Sequence, residues 1–212
     1  MKVNKRFKVI EIVKEHVLNN RKEYIIVGLI FVIGIFLGVL FINNIQDNQK
    51  TDIETYLNNF INKFKEVESI DNMQLLKISI KEKLLLTIGV WFFGTTVIGI
   101  PVVFGIVLYR GFCLGYTIST CIYVLGMSKG LAFVLTSLLL QNMLFIPAVL
   151  ALAVSGFKLY KSIIKNKDKE NIKVEMLRHT IFSIIMLMVL MISSVIEIFI
   201  STNILKIILK YF

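Results

Sequence analysis

The chain has 212 residues, 56% of them hydrophobic, with a mean hydropathy of +0.77 and a formal net charge of +10. A soluble domain has no need of repeated apolar stretches of about 20 residues, each enough to cross the roughly 30 Å hydrocarbon layer. Soluble classes are therefore excluded, and the lack of short segments of alternating polarity excludes a β-barrel. Lys and Arg flank the apolar runs while the aromatics lie inside them, a pattern that points to anionic lipid and the insertion machinery and away from nucleic acid.

Residues 1–23 are basic, with Val3, Phe7, Ile10, Val13 and Val17 at helical spacing. That stripe reads as an amphipathic helix on the membrane surface, with a disordered basic arm as the alternative. The first span is expected at 24–43, "YIIVGLIFVIGIFLGVLFIN". No small-residue cleavage site follows it, so it reads as a retained anchor. Gly34 and Gly38 give it a small-xxx-small face.

Residues 44–83 form the longest polar region and are expected as a helical extracytoplasmic loop. Within it Ile53, Leu57, Phe60, Ile61, Phe64 and Val67 line one helical face, with Thr51 or Asp52 as cap. The face could pack on the protein's own membrane surface or serve as a docking surface for another protein; both could hold. Ile53, Leu57, Phe60 and Phe64 are the candidate partner-binding residues.

The second span is expected at 84–109 with a kink at Pro101, and the third from Gly111 to about Met127. Arg110 then falls at a turn between them, where a guanidinium can meet lipid phosphates or helix-end carbonyls. Gly111 suits that tight turn, and Gly115 joins it in a packing surface. The small-residue pairs 34/38, 111/115 and 126/130 also make a homodimer plausible.

A fourth apolar stretch, 131–157, is interrupted by "QNMLFIP". Gln141 and Asn142 need hydrogen-bond partners in lipid, and Pro147 frees a carbonyl one turn earlier. A helix break, a re-entrant turn and an interhelical clamp all fit; a polar lock is favoured over a transport site. The fifth span is expected at 180–200, followed by a short interfacial helix carrying Ile204, Leu205, Ile208 and Leu209. Glu197, about 25 Å along that span, is expected near the outer surface, out of reach of Arg110, with Lys81, Lys83, Lys129 or water as partner.

The fold class is thus all-α: one integral membrane domain, 1–212, of about five transmembrane helices. The basic residues of the short segments, including Arg21, Lys22, Arg110 and those of a 158–179 loop, favour a cytoplasmic N-terminus by the positive-inside rule. Cys113 and Cys121 lie about 12 Å apart along a helix, too far for a disulfide, and read as packing residues. His16 and His179 complete no metal spacing, and no hydrolase, P-loop or dinucleotide motif occurs. No enzyme, metal or cofactor is expected.

The basic N-terminus before "FVIGIFLGVL", the stretch "RGFCLGYTIS" and "LLLQNMLFIPAVLAL" together resemble the stage II sporulation protein M family of endospore-forming bacteria. Nearly the whole chain shares in the resemblance. It implies a bacterial membrane scaffold of forespore engulfment, at the sporulation septum and the engulfing mother-cell membrane. Its implied partners are stage II sporulation proteins D and P, which remodel peptidoglycan. Arg110, Gly111 and Gly115 match the family's hairpin, and Gln141, Asn142 and Pro147 its polar break, all in structural roles. The alternative is a permease-like subunit served by a separate ATPase through the basic 158–178 loop.

Overall fold

The computed structural model describes residues 17–66, 71–165, 169–201 and 203–204. The stripe expected from Val3 to Val13 and the tail expected beyond Ile204 lie outside the described residues. So do the side chains of Phe64 and Gln141, whose backbones are helical.

The described elements are all helices: α1 (Arg21–Asn44), α2 (Asp47–Glu66), α3 (Asn72–Gly94), α4 (Ile100–Leu125), α5 (Met127–Val134), α6 (Leu140–Lys165) and α7 (Lys169–Ile196). Two π-helical turns, Leu135–Leu139 and Glu197–Ser201, link α5 to α6 and extend α7. Four stretches are long and apolar enough to cross a membrane: Arg21–Asn44, Ile100–Leu125, Asn142–Ile164 and Ile172–Ile200. The remaining long helix, α3, packs among them but carries Lys77, Lys81, Glu82 and Lys83 in its first half.

The turn expected at Arg110 does not exist. Helix α4 runs unbroken from Ile100 to Leu125, and Arg110 and Gly111 sit inside it. The chain reverses instead at 95–99. There the Thr95 and Thr96 hydroxyls donate to the carbonyls of Phe92 and Phe93 at 2.7 and 3.0 Å, satisfying acceptors that the end of α3 leaves open. Pro101 lies in the first turn of α4, where its missing N–H costs nothing, so it starts a helix and does not kink one. Hydropathy alone joins 84–109 because two threonines barely lower an apolar average. The helices expected at 84–109 and from Gly111 are therefore replaced by α3 and α4, of which only α4 is long and apolar enough to cross a membrane, and the polar loop ends near Asp71, whose carboxylate accepts from the N–H groups of Met73 and Gln74.

Helices α1 and α4 lie parallel, and their glycines explain the contact. A Cβ at Gly34 would strike the Leu108 carbonyl and one at Gly38 the Phe112 carbonyl. From the other side, a Cβ at Gly111 would strike Phe31 and one at Gly115 would strike Ile35, again at backbone atoms. Lipid supplies no hydrophobic drive between helices, so close backbone approach and dispersion must do the holding. The two glycine faces expected to serve a homodimer are thus occupied within the chain. The 126/130 pair is also internal: Gly126 turns the chain at φ +79°, and Gly130 packs on the backbone of Cys121 and Ile122.

Helix α6 is the central one. Half of its apolar window is buried, against 22% for α1 and α4. Its run Ala151, Leu152, Ala153 and Val154 is enclosed, as a helix surrounded by other helices requires. Arg110 reaches Phe145 and Phe104 meets Phe157, so α6 runs antiparallel to α4. It runs antiparallel to α7 as well, through Ser155 to His179 and Lys158 to Glu175. In turn α3 is antiparallel to α7, joined by Ser79 to Ser194 and Trp91 to Thr180. One end of the bundle is tied by Glu23–Lys161 and by Glu175 with Lys158 and Arg178. The opposite end carries α2.

The stretch left open at 131–157 is helical throughout, from α5 through the π turn into α6, and Pro147 lies inside α6. The irregular turn precedes Gln141. The loop expected at 158–179 is also mostly helix, formed by the ends of α6 and α7.

Candidate functional site within the bundle

Ser79, Lys83 and Thr87 recur every four residues on α3, so they share a face, and that face meets α7. Ser194 and Glu197, three apart, answer from α7 and its terminal π turn. The Lys83 ammonium donates to Glu197 Oε2 at 2.7 Å, and the Ser79 hydroxyl lies 2.9 Å from the same oxygen and 3.1 Å from Ser194 Oγ. Lys83 is 5% exposed, while the Glu197 side chain keeps 23%. In a poorly solvated interior neither charge could stand alone, and each is the other's counter-ion. Thr87 donates to the Lys83 carbonyl at 2.8 Å.

Across from this pair, the Arg110 guanidinium lies 5.3 Å from the centre of the Phe145 ring, and Lys83 lies 5.8 Å from the same ring. Phe145 therefore presents its π face to two cations. Arg110 makes no ion pair among the described residues. Together these groups border a cavity of about 150 Å³ whose wall also includes Glu82, Cys113, Thr117 and Asn142. Asn142 donates from Nδ2 to the Leu138 carbonyl at 2.9 Å, which satisfies a carbonyl of the π turn. Thr117 donates to the Cys113 carbonyl at 2.8 Å.

Glu197 and Arg110, expected out of reach of each other, line one chamber but form no ion pair among the described residues. Arg110 is not at a turn: ten residues into α4, it lies about 15 Å from that helix's start. Lys83 was among the partners expected for Glu197, and the pair is observed. Of the other expected site residues, Asn142 lines the chamber, Gly111 and Gly115 face α1, and Pro147 is exposed on α6. On α2, Leu57 and Ile61 are buried with Cys121, Phe133 and Val134 of α4 and α5. Ile53 is half-buried and Phe60 is 39% exposed. The helix starts at Asp47, earlier than the cap expected at Thr51 or Asp52.

Sequence reading missed Ser79, Lys83, Phe145 and Thr117 as one constellation. A signal existed in "SIKEKLLLT", where Ser79, Lys83 and Thr87 form a polar line along an otherwise apolar helix. It also missed the enclosed pair at the other end, where His179, 1% exposed, places Nδ1 2.9 Å from Ser155 Oγ. Gly94 and Gly156 abut one another and His179, leaving just enough room for the ring.

A helical bundle of apolar segments around an ion pair and a guanidinium defines a polytopic membrane protein. The family model for stage II sporulation protein M matches residues 27–202, and the chain belongs to that family, a sporulation-related membrane protein. No curated protein and no solved structure matches it.

Proposed function

We propose that this chain is a non-catalytic membrane scaffold that recruits and positions peptidoglycan-remodelling enzymes, stage II sporulation proteins D and P, during forespore engulfment. Membership of the stage II sporulation protein M family is the observation that carries this reading. Its supports are a rigid bundle and one amphipathic helix, α2, held outside it. Leu57 and Ile61 anchor α2 to α4 and α5, while Tyr56, Asn59, Phe60 and Lys63 remain exposed. An anchored helix with an exposed outer face is a surface on which a wall enzyme can dock without disturbing the bundle. The N-terminus is assigned to the cytoplasm because Arg21, Lys22, Lys158, Lys161 and Arg178 gather at the end opposite α2. With that orientation, α2 faces the wall, and the septum and engulfing membrane are the sites this reading expects for the chain.

The test is co-purification of proteins D and P from sporulating cells with the Asn59→Glu, Lys63→Glu variant. The variant should insert and accumulate normally yet lose both enzymes. Retained binding at wild-type levels would remove α2 as the docking surface.

A second reading, a permease-like subunit driven by a separate ATPase, draws on the ionised chamber, since charges inside a bundle often line transport paths. It requires a nucleotide-hydrolysing partner in the same pull-down. Lys158→Glu with Lys161→Glu, at the basic end, should then uncouple that partner.

A further inference from the structure

The lining of the polar chamber is of two kinds. Ser79, Lys83, Arg110, Asn142 and Glu197 bring polar groups to it, and Leu114, Leu138 and Phe145 bring hydrocarbon. Such a wall matches a small molecule with a charged head and a short carbon body. At about 150 Å³ the space takes a guest the size of benzene, about six non-hydrogen atoms.

The sign of the head follows from the charges. Lys83 and Glu197 offset one another at 2.7 Å, and Glu82 stands exposed at the rim, where water solvates it. What the chamber keeps is the single positive charge of half-buried Arg110, which makes no ion pair among the described residues. The Phe145 ring offsets part of that charge but offers the guanidinium N–H groups no oxygen acceptor. The neutral donors nearby are engaged with the backbone: Thr117 with the Cys113 carbonyl at 2.8 Å and Asn142 with that of Leu138 at 2.9 Å. Lys83, 5.8 Å from the centre of the Phe145 ring, gives one of its three N–H bonds to Glu197. Arg110 and Lys83 are therefore the groups with donors to offer, and a guest of one negative charge brings the chamber to neutrality.

Access comes from water. Lys81 and Glu82, next to Lys83 on α3, are both exposed, and charged side chains so placed need solvent. A water-soluble guest reaches that rim without passing through lipid.

We infer that the chamber binds a small water-soluble carboxylate, its head on Arg110 with Lys83 beside it and its carbon body against Leu114 and Leu138. A guanidinium presents two parallel N–H groups at the spacing of carboxylate oxygens, a match that chloride cannot return. Inorganic phosphate has no carbon body to set against the leucines. The site is separate from α2, so it stands or fails independently of the docking reading.

The experiment uses the full chain in deuterated detergent with isotope-labelled butyrate, observed by saturation-transfer NMR. Transfer to butyrate should saturate, and unlabelled isobutyrate should compete. Butyramide, of the same shape without the charge, should not, and chloride and phosphate at matched ionic strength should compete at least about tenfold less well. Arg110→Gln should weaken butyrate binding by about tenfold, the size of a lost charge-assisted bond, and Arg110→Lys by less. Lys161→Gln, which removes a cation at the Glu23 end of the bundle, should leave it unchanged. Absence of saturable transfer would overturn the site, and equal competition by butyramide would overturn the charged head. Equal competition by chloride or phosphate would make the chamber a counter-ion site and remove the organic ligand. Undiminished binding to the Arg110→Gln variant, or an equal loss with Lys161→Gln, would also overturn the assignment. The competition arms use the unmodified chain, so they decide the matter even if an Arg110 variant fails to fold.

Discussion

Helices α1 and α4 meet backbone to backbone along four glycines, whereas α3 meets α7 through side chains: two serines, a lysine and a glutamate. The first seam is dry and depends on shape. The second is polar and depends on every charge having a partner. Both are answers to one problem, that lipid tails are as apolar as the helices and do not drive them together. The glycine seam, flanked by Phe41 of α1 against Phe112 and Tyr116 of α4, holds no charge and leaves no chemistry behind. The polar seam stores charge inside the bundle, and the chamber beside it follows from that.

Substitutions separate the two mechanisms. The largest effect is expected at the glycine seam, where Gly115→Leu drives a side chain into the Ile35 backbone and should cost more than about 3 kcal/mol. Gly105→Leu on the same helix, where a Cβ meets nothing within 4 Å, should be nearly silent in a detergent thermal-shift assay. If both variants melt alike, close packing is not what joins α1 to α4.

The polar seam should show a different signature. Lys83→Met removes the buried ammonium paired with Glu197 and should cost about 3 kcal/mol, while adding Glu197→Gln should recover more than half of that. A double-mutant cycle measures the recovery directly; simple additivity would mean that the pair is not coupled. A smaller loss, about 1–2 kcal/mol, is expected for Ser155→Ala, which removes the His179 Nδ1 partner in an enclosed site. Smallest of all is Tyr56→Ala. At 75% exposure it should stay within about 0.5 kcal/mol of wild type by the same melting measurement.

These differences bear on how far the chain could be read before its fold was known. Composition was sufficient for the class: an apolar run such as 24–43 has only one comfortable solvent, and its backbone must be helical there. The small-xxx-small pairs were visible, and so was the amphipathic face of α2, because both are local periodicities. Which surfaces they meet was not visible, since a glycine face looks the same whether its partner is a second copy or α4. The turn at 95–99 was hidden by its neighbours' hydropathy, and Arg110 drew the boundary to itself because a charge in an apolar run reads as an edge. Only the packed bundle shows that this charge has a ring to lie against and a chamber to face. Lys83 and Glu197 are more than a hundred residues apart, and their pairing depends on the antiparallel crossing of α3 and α7. A chain announces which solvent it will live in through the sum of its side chains; which of its charges share that interior depends on contacts between distant helices.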